Sequence, residues 1–105
     1  MTFRLRDFSF PNSWFVAGRY PNGNLGLGVD DEEGSVCTCS VNPGVEIPSM
    51  LLAVKDYSEN VGMVQALTDL GIIGEKVAEI GSGRVNIPVH RLTDKGLALF
   101  DKGEK

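Results

Sequence analysis

The chain has 105 residues, 42% of them hydrophobic and 23% charged, with a formal net charge of -4. That length suits one domain, 1–105, whose core needs no staples, and the composition is that of a folded chain rather than a disordered one. The negative balance argues against direct nucleic-acid binding, which needs clustered Lys and Arg, and the apolar runs are too short to span a membrane.

Residues 2–10 read as a first strand. Phe3 and Leu5 share one face while Phe8 and Phe10 are out of phase, so a bulge near Arg6 and Asp7 is expected. These apolar residues alternate with charge and form no continuous apolar region. The start of the chain therefore does not read as a signal peptide, and a cytoplasmic location follows as the default. Pro11, Asn12 and Ser13 make a turn, and residues 14–20 a second, aromatic-rich strand.

Asn22-Gly23 is a strong hairpin signal, because both central residues of a type I′ turn need positive φ. Taken as a two-residue loop, it sets Tyr20 opposite Leu25, Gly18 opposite Leu27 and Val16 opposite Val29. Trp14 joins them on the apolar face. Phe15, Ala17, Arg19, Gly26 and Gly28 take the other face. For the next loop, Glu32-Glu33-Gly34 as three residues keeps the apolar face continuous, with Cys37 opposite Val29, Cys39 opposite Leu27 and Val41 opposite Leu25. A one-residue slip would invert it. The opposite face of this meander, with Ala17, Arg19, Gly26, Gly28, Val36, Thr38 and Ser40, is small and smooth. Glycines inside a strand often mark close approach by another backbone. Either a segment of this chain or a partner lies there.

Asn42-Pro43-Gly44 breaks the meander, and Leu51 to Val54 form a short strand. Ser58 reads as the N-cap of a helix running to about Leu70, with Glu59 in its first turn. Met63, Ala66, Leu67 and Leu70 make its buried stripe, and Gly71 ends it. Val77 to Ile80 and Arg84 to Leu92 read as a hairpin around Gly81, Ser82 and Gly83. Pro88 places the second of these strands at an edge, since it has no N–H for a ladder. Thr93 or Asp94 caps a short tail helix carrying Leu97, Leu99 and Phe100, and Asp101 to Lys105 read as frayed.

Candidate chemistry is sparse. The thiols of Cys37 and Cys39 need further ligands to hold a metal, and residues i and i+2 of a strand suit a disulfide poorly, so they read as two small buried thiols. His90 is the single histidine, with no nucleophile turn to serve, and reads as an exposed strand residue. Gly23, Gly26 and Gly28 lie inside a hairpin and do not join a strand to a helix, so they form no phosphate loop. No catalytic residue, metal or cofactor is expected. The acidity is local: residues 1–50 hold three basic and six acidic residues, and four of the six are Asp30, Asp31, Glu32 and Glu33. This tip is either a solvated loop or a contact for a basic partner surface.

The segments from Tyr20 through Leu27, Glu33-Gly34 with Thr38 through Asn42, Lys55 through Asn60 with Gly62-Met63, and Ser82-Gly83 with Pro88-Val89 and Arg91-Leu92 resemble a family of small bacterial proteins. Its members are uncharacterised and are carried on plasmids, conjugative elements and phages. The resemblance covers roughly residues 14–93 and rests on turn and strand residues. It implies a mobile-element context, in which small acidic proteins block host defence by binding a nuclease or effector, as anti-CRISPR and anti-restriction inhibitors do.

The expected architecture is α+β: an antiparallel β-meander sheet packed with one main helix (about 58–70), a second C-terminal hairpin and a short tail helix. The expected function is non-enzymatic protein binding, with a host or element-encoded protein such as a nuclease or defence effector as partner. The contact surface joins Asp30, Asp31, Glu32 and Glu33 to Arg19, Gly26, Gly28, Thr38 and Ser40. The alternatives are a sponge that sequesters a small nucleotide through the scattered Arg4, Arg6, Arg19, Arg84 and Arg91, or a small enzyme using His90. The Pro88 strand and the bare meander face leave room for a homodimer.

Overall fold

The phase change after Leu5 is resolved by a hairpin, not by a bulge. β1 (Phe3–Leu5) and β2 (Phe8–Phe10) pair antiparallel with Leu5 opposite Phe8. Arg6 turns the chain at φ 55, so Phe3 and Phe10 face each other across the pair. The computed structural model describes residues 1–103, an α+β arrangement dominated by antiparallel sheet.

β3 (Trp14–Arg19), β4 (Leu25–Asp31) and β5 (Gly34–Thr38) form the expected meander, but the first register differs by one residue. Phe15 lies opposite Val29, Ala17 opposite Leu27 and Arg19 opposite Leu25. The loop is three residues long. The Gly23 N–H donates to the Tyr20 carbonyl at 2.8 Å, which puts Pro21 at the second position of a turn it pre-organises. Of the two loop residues that a type I′ turn would need at positive φ, only Gly23 (φ 92) has it. The extra residue reverses the faces of β3. Phe15 and Ala17 turn to the core, and Trp14, Val16 and Gly18 turn outward.

The second loop is shorter than expected. Asp31 pairs with Gly34, leaving Glu32 and Glu33 as the loop, and a bulge at Val36 restores Cys37 opposite Val29. Two changes cancel, so the expected pairing of Cys37 holds although the loop length does not. The bulge also moves Val36 from the outer face, where it was expected, to the margin of the core.

Beyond β5 the chain changes partners. The Cys39 N–H still donates to the Leu27 carbonyl at 2.8 Å, but the Cys39 carbonyl accepts from the Lys55 N–H at 2.9 Å. Ser40 bridges Val54. Residues 39–41 thus lead from the meander to a second sheet in the order β6 (Leu51–Ala53), β8 (Val85–Leu92), β7 (Ile73–Ser82).

Pro88 therefore sits in a central strand, not at an edge. Its carbonyl accepts from Val54 N–H at 2.9 Å. In a strand the N–H and C=O of one residue point to the same side, so the missing donor faces the end of the three-residue strand β6 and the β7 ladder loses nothing. The β7–β8 loop is likewise shorter than expected: Ser82 pairs with Val85, leaving Gly83 and Arg84.

The helix expected over 58–70 is broken. A 3-10 turn covers Ser58–Asn60, and α1 spans Met63–Asp69. Ser58 lies inside this turn, at φ 58, and not at the cap of α1. Asp56 does the capping, its carboxylate accepting from Gly62 N–H at 2.9 Å and Val64 N–H at 2.8 Å. Gly62 at φ 100 takes the turn that separates the two helical pieces. Met63, Ala66 and Leu67 of the expected stripe are buried, Leu70 is half-buried at the helix end, and Gly71 ends the helix at φ 74.

α2 (Asp94–Gly103) packs against β3 and is capped by Thr93, whose hydroxyl accepts from Gly96 N–H at 3.1 Å. A Cβ on Gly96 would lie 2.3 Å from the Ile72 carbonyl oxygen, so only glycine allows this approach. Asp101 is helical rather than frayed, while residues 104–105 of that expected end lie outside the described residues.

One cluster unites Phe3, Leu27, Val29, Leu52, Val54, Met63, Leu67, Ile72 and Phe100. A smaller one, around Ala53, Ile87 and Val89, is covered by Val41, Ile47 and Tyr57.

Candidate functional site

The outer face of β3, β4 and β5 is uncovered by the rest of the described chain. Cross-strand pairing places Trp14 beside Asp30, Val16 beside Gly28 and Gly18 beside Gly26, all with outward phase. Trp14 is 48% and Val16 44% exposed. A Cβ on Gly18 would meet nothing within 4 Å. The result is a shallow trough of about 300 Å³, floored by backbone and bordered by Val16, Tyr20, Asp30, Ser35 and Thr38.

Tyr20 fixes one end. Its ring lies over Gly26, where an added Cβ would come within 3.3 Å of the ring. Its hydroxyl shares a hydrogen bond with the Ser40 hydroxyl at 3.0 Å, and Ser40 Oγ also accepts from Leu27 N–H at 2.9 Å. Ser40 is thus a buried pin and not part of the contact surface. Arg19 borders the same end, with its guanidinium donating to the Gly23 carbonyl at 3.2 Å.

The acidic residues divide. Asp30 sits on the rim of the trough. Asp31, Glu32 and Glu33 stand at the loop, next to Pro11 and Asn12. Asp31 shapes that loop by accepting from Glu33 N–H at 2.9 Å. Of the residues expected to form one surface, the structure groups Arg19, Gly26, Gly28, Asp30 and Thr38, sets Asp31, Glu32 and Glu33 aside, and buries Ser40. Sequence reasoning missed Trp14, Val16 and Gly18. The signal that could have found them is Pro21, which favours the three-residue loop.

The β3–β4 turn is held from behind by an asparagine network. Asn24 is buried, with its Nδ2 donating to Asn42 Oδ1 at 3.1 Å and to the Val45 carbonyl at 2.7 Å. Asn22 and Asn42 exchange bonds of 3.1 and 3.3 Å. The end of the trough is therefore rigid.

His90 was expected to be exposed, but it is buried, only 6% exposed, and its Nδ1–H donates to the Gly74 carbonyl at 2.9 Å. That contact holds a bulged stretch of β7 in place. Cys39 is fully buried, and Cys37 is half-buried. The Cys39 thiol beside it holds the Cys37 thiol below its ordinary range, against partial burial. Cys37 and burial together push Cys39 up. No group of three or more His, Cys, Asp or Glu residues with metal-binding proximity occurs among the described residues.

The arginines are dispersed. Arg6 donates to the Glu59 carbonyl at 2.9 Å, Arg91 pairs with Glu75 at 3.3 Å, and Arg4 lies near Asp69. No helix among the described residues is long and apolar enough to cross a membrane. The chain matches no protein-family model, no curated protein and no solved structure.

Proposed function

We propose that this chain is a protein-binding module with no catalytic step of its own, and that it engages its partner through the outer face of β3, β4 and β5. The observation that carries this is the exposure of Trp14 and Val16 beside a backbone floor free of side chains at Gly18 and Gly28. Tryptophan is among the residues that most often dominate interface energetics. A flat floor lets a partner approach the backbone closely, and a rigid one costs little ordering on binding. The acidic loop beside this face adds long-range steering toward a basic surface.

The resemblance to small proteins of plasmids, conjugative elements and phages makes a host nuclease or defence effector the first partner to assay. An inhibitor of this kind, of the anti-CRISPR or anti-restriction type, needs a stable surface and no chemistry. The test is affinity capture from a bacterial host lysate with the intact chain and with Trp14→Ser/Val16→Ser. The captured protein should be lost with the double variant, both chains being equally folded by circular dichroism. Equal capture by both chains would sink the assignment of this face.

A further inference from the structure

We infer that a second site, the groove between β2 and β5, binds an extended peptide segment that carries an apolar side chain and, two or three residues along, a basic one. This site shares the acidic loop with the surface proposed above but not its aromatic face.

The groove has a volume of about 280 Å³ and is walled by Leu5, Phe8, Phe10, Val36 and Cys37. Phe8 is 59% exposed. A large aromatic left in water beside other apolar groups is an unspent source of binding energy. Its position is set by Arg6, whose guanidinium lies 5.8 Å from the ring centroid. The same guanidinium is anchored on the Glu59 carbonyl, so one wall of the groove is braced.

Two features call for an extended segment rather than a small molecule. β2 pairs with β1 alone, and β5 pairs with β4 alone over Gly34–Thr38. Both strands that contribute to the groove thus keep an unpaired edge, the setting in which a further strand adds through main-chain hydrogen bonds. The bulge at Val36 also interrupts the ladder with β4. The edge has a defined end, because Asn60 Nδ2 already donates to the Thr38 carbonyl at 2.6 Å. A guest strand therefore has its room from Gly34 to Cys37.

Charge supplies the direction. At the Gly34 end the groove runs toward Asp31, Glu32 and Glu33, which lie against Pro11 and Asn12 just beyond Phe10. Three extended residues, about 10 Å, separate Val36 from Glu33. An apolar residue seated among Phe8, Phe10 and Val36 thus brings a basic residue two or three positions away under those carboxylates. The acidic loop is exposed, so its share of the affinity falls with salt, whereas the apolar share does not.

The test uses two fluorescein-labelled octapeptides, one alternating Lys and Leu and one alternating Lys and Ser, titrated against the intact chain by fluorescence anisotropy. The Lys/Leu peptide should bind at least about tenfold more tightly than Lys/Ser. Phe8→Ser and Val36→Ser should each weaken Lys/Leu binding by at least about fivefold, and Trp14→Ser should leave it unchanged. Asp31→Lys/Glu32→Lys/Glu33→Lys should weaken it strongly at low salt and less at high salt. In amide NMR spectra the largest shifts should fall on residues 34–37. Equal binding of the two peptides overturns the groove, as does indifference to Phe8→Ser. Loss on Trp14→Ser overturns it in favour of the outer face, which leaves the binding-module proposal standing. No binding of either peptide overturns the groove alone, since the lysate capture is read independently.

Discussion

The two sheets use their faces differently. In the β6, β8, β7 sheet the strands β6 and β8 are covered on both sides, β7 being exposed along most of its length: Leu52 and Leu92 enter the main core, while Ala53, Ile87 and Val89 are capped by Val41, Ile47 and Tyr57. The β3, β4, β5 sheet is covered on one side alone, and its open side combines three glycines with an exposed Trp14 and Val16. A strand's side chains alternate in either case, so alternation does not distinguish the two sheets. What differs is whether later chain returns to the second face. Residues 41–57 return to the C-terminal sheet, and no described segment returns to the outer side of the meander. An uncovered face made smooth by glycine is a surface for contact, whereas a face capped by a loop is a source of stability.

The contrast predicts a graded series. Leu52→Ala, at a fully buried side chain, should cost about 2–5 kcal/mol in urea or thermal unfolding. A cost below about 1 kcal/mol would place β6 outside the core and break the comparison. Next comes Gly96→Ala, which drives a methyl into the Ile72 carbonyl and should cost about 1–3 kcal/mol. On the open sheet, Gly18→Val should change stability by no more than about 0.5 kcal/mol, with the sign favoured by the strand preference of valine. A loss above about 1 kcal/mol there would mean that something packs on the outer face.

The smallest effect is electrostatic. Glu59 is held down to about 2 by its bond to Lys55 at 2.7 Å, with further help from backbone and Ser58 hydrogen bonds. A lowered carboxylate stabilises above its unfolded pKa, and that contribution is lost as pH falls through its folded value. Because Glu59 is fully exposed, water and salt screen the pair, and Glu59→Gln should leave the unfolding midpoint at pH 7 unchanged within error. A clear drop would show that the pair braces Arg6 and the groove.

Much of the fold was legible where a local cause acts alone. The buried stripe of α1, the glycine at its end and the strand at Leu51 all follow from periodicity and turn chemistry. Errors arose where two local signals compete. Asn22-Gly23 favours one loop length and Pro21 another, and a single residue decides which face of β3 meets water. Ser58 and Asp56 are both capping residues, and Asp56 wins because its carboxylate reaches two N–H groups at once. The candidate site inherits the first of these errors: its β4 residues and Arg19 lie at the expected surface, while Trp14, Val16 and Gly18 of β3 were assigned to the core and left out of it. Pro88 was misplaced because its donor-free side faces the end of a short strand, a tertiary circumstance. The groove was invisible for a related reason, since Phe8 and Val36 meet only after the hairpin β1–β2 has docked beside β5.

The packing of α2 against β3 sets a timetable for the chain's synthesis. β3 is made well before Phe100, which shares its core cluster with Phe15 and Ala17. The meander can form its hydrogen bonds while translation proceeds, yet its apolar side stays partly wet until α2 arrives. Contacts that span most of the chain slow folding, and an early sheet with one side uncovered and the other awaiting its lid is exposed to association with its neighbours. Arrival of α2, rather than emergence of the sheet, is then the moment at which the apolar side of the meander is protected from aggregation.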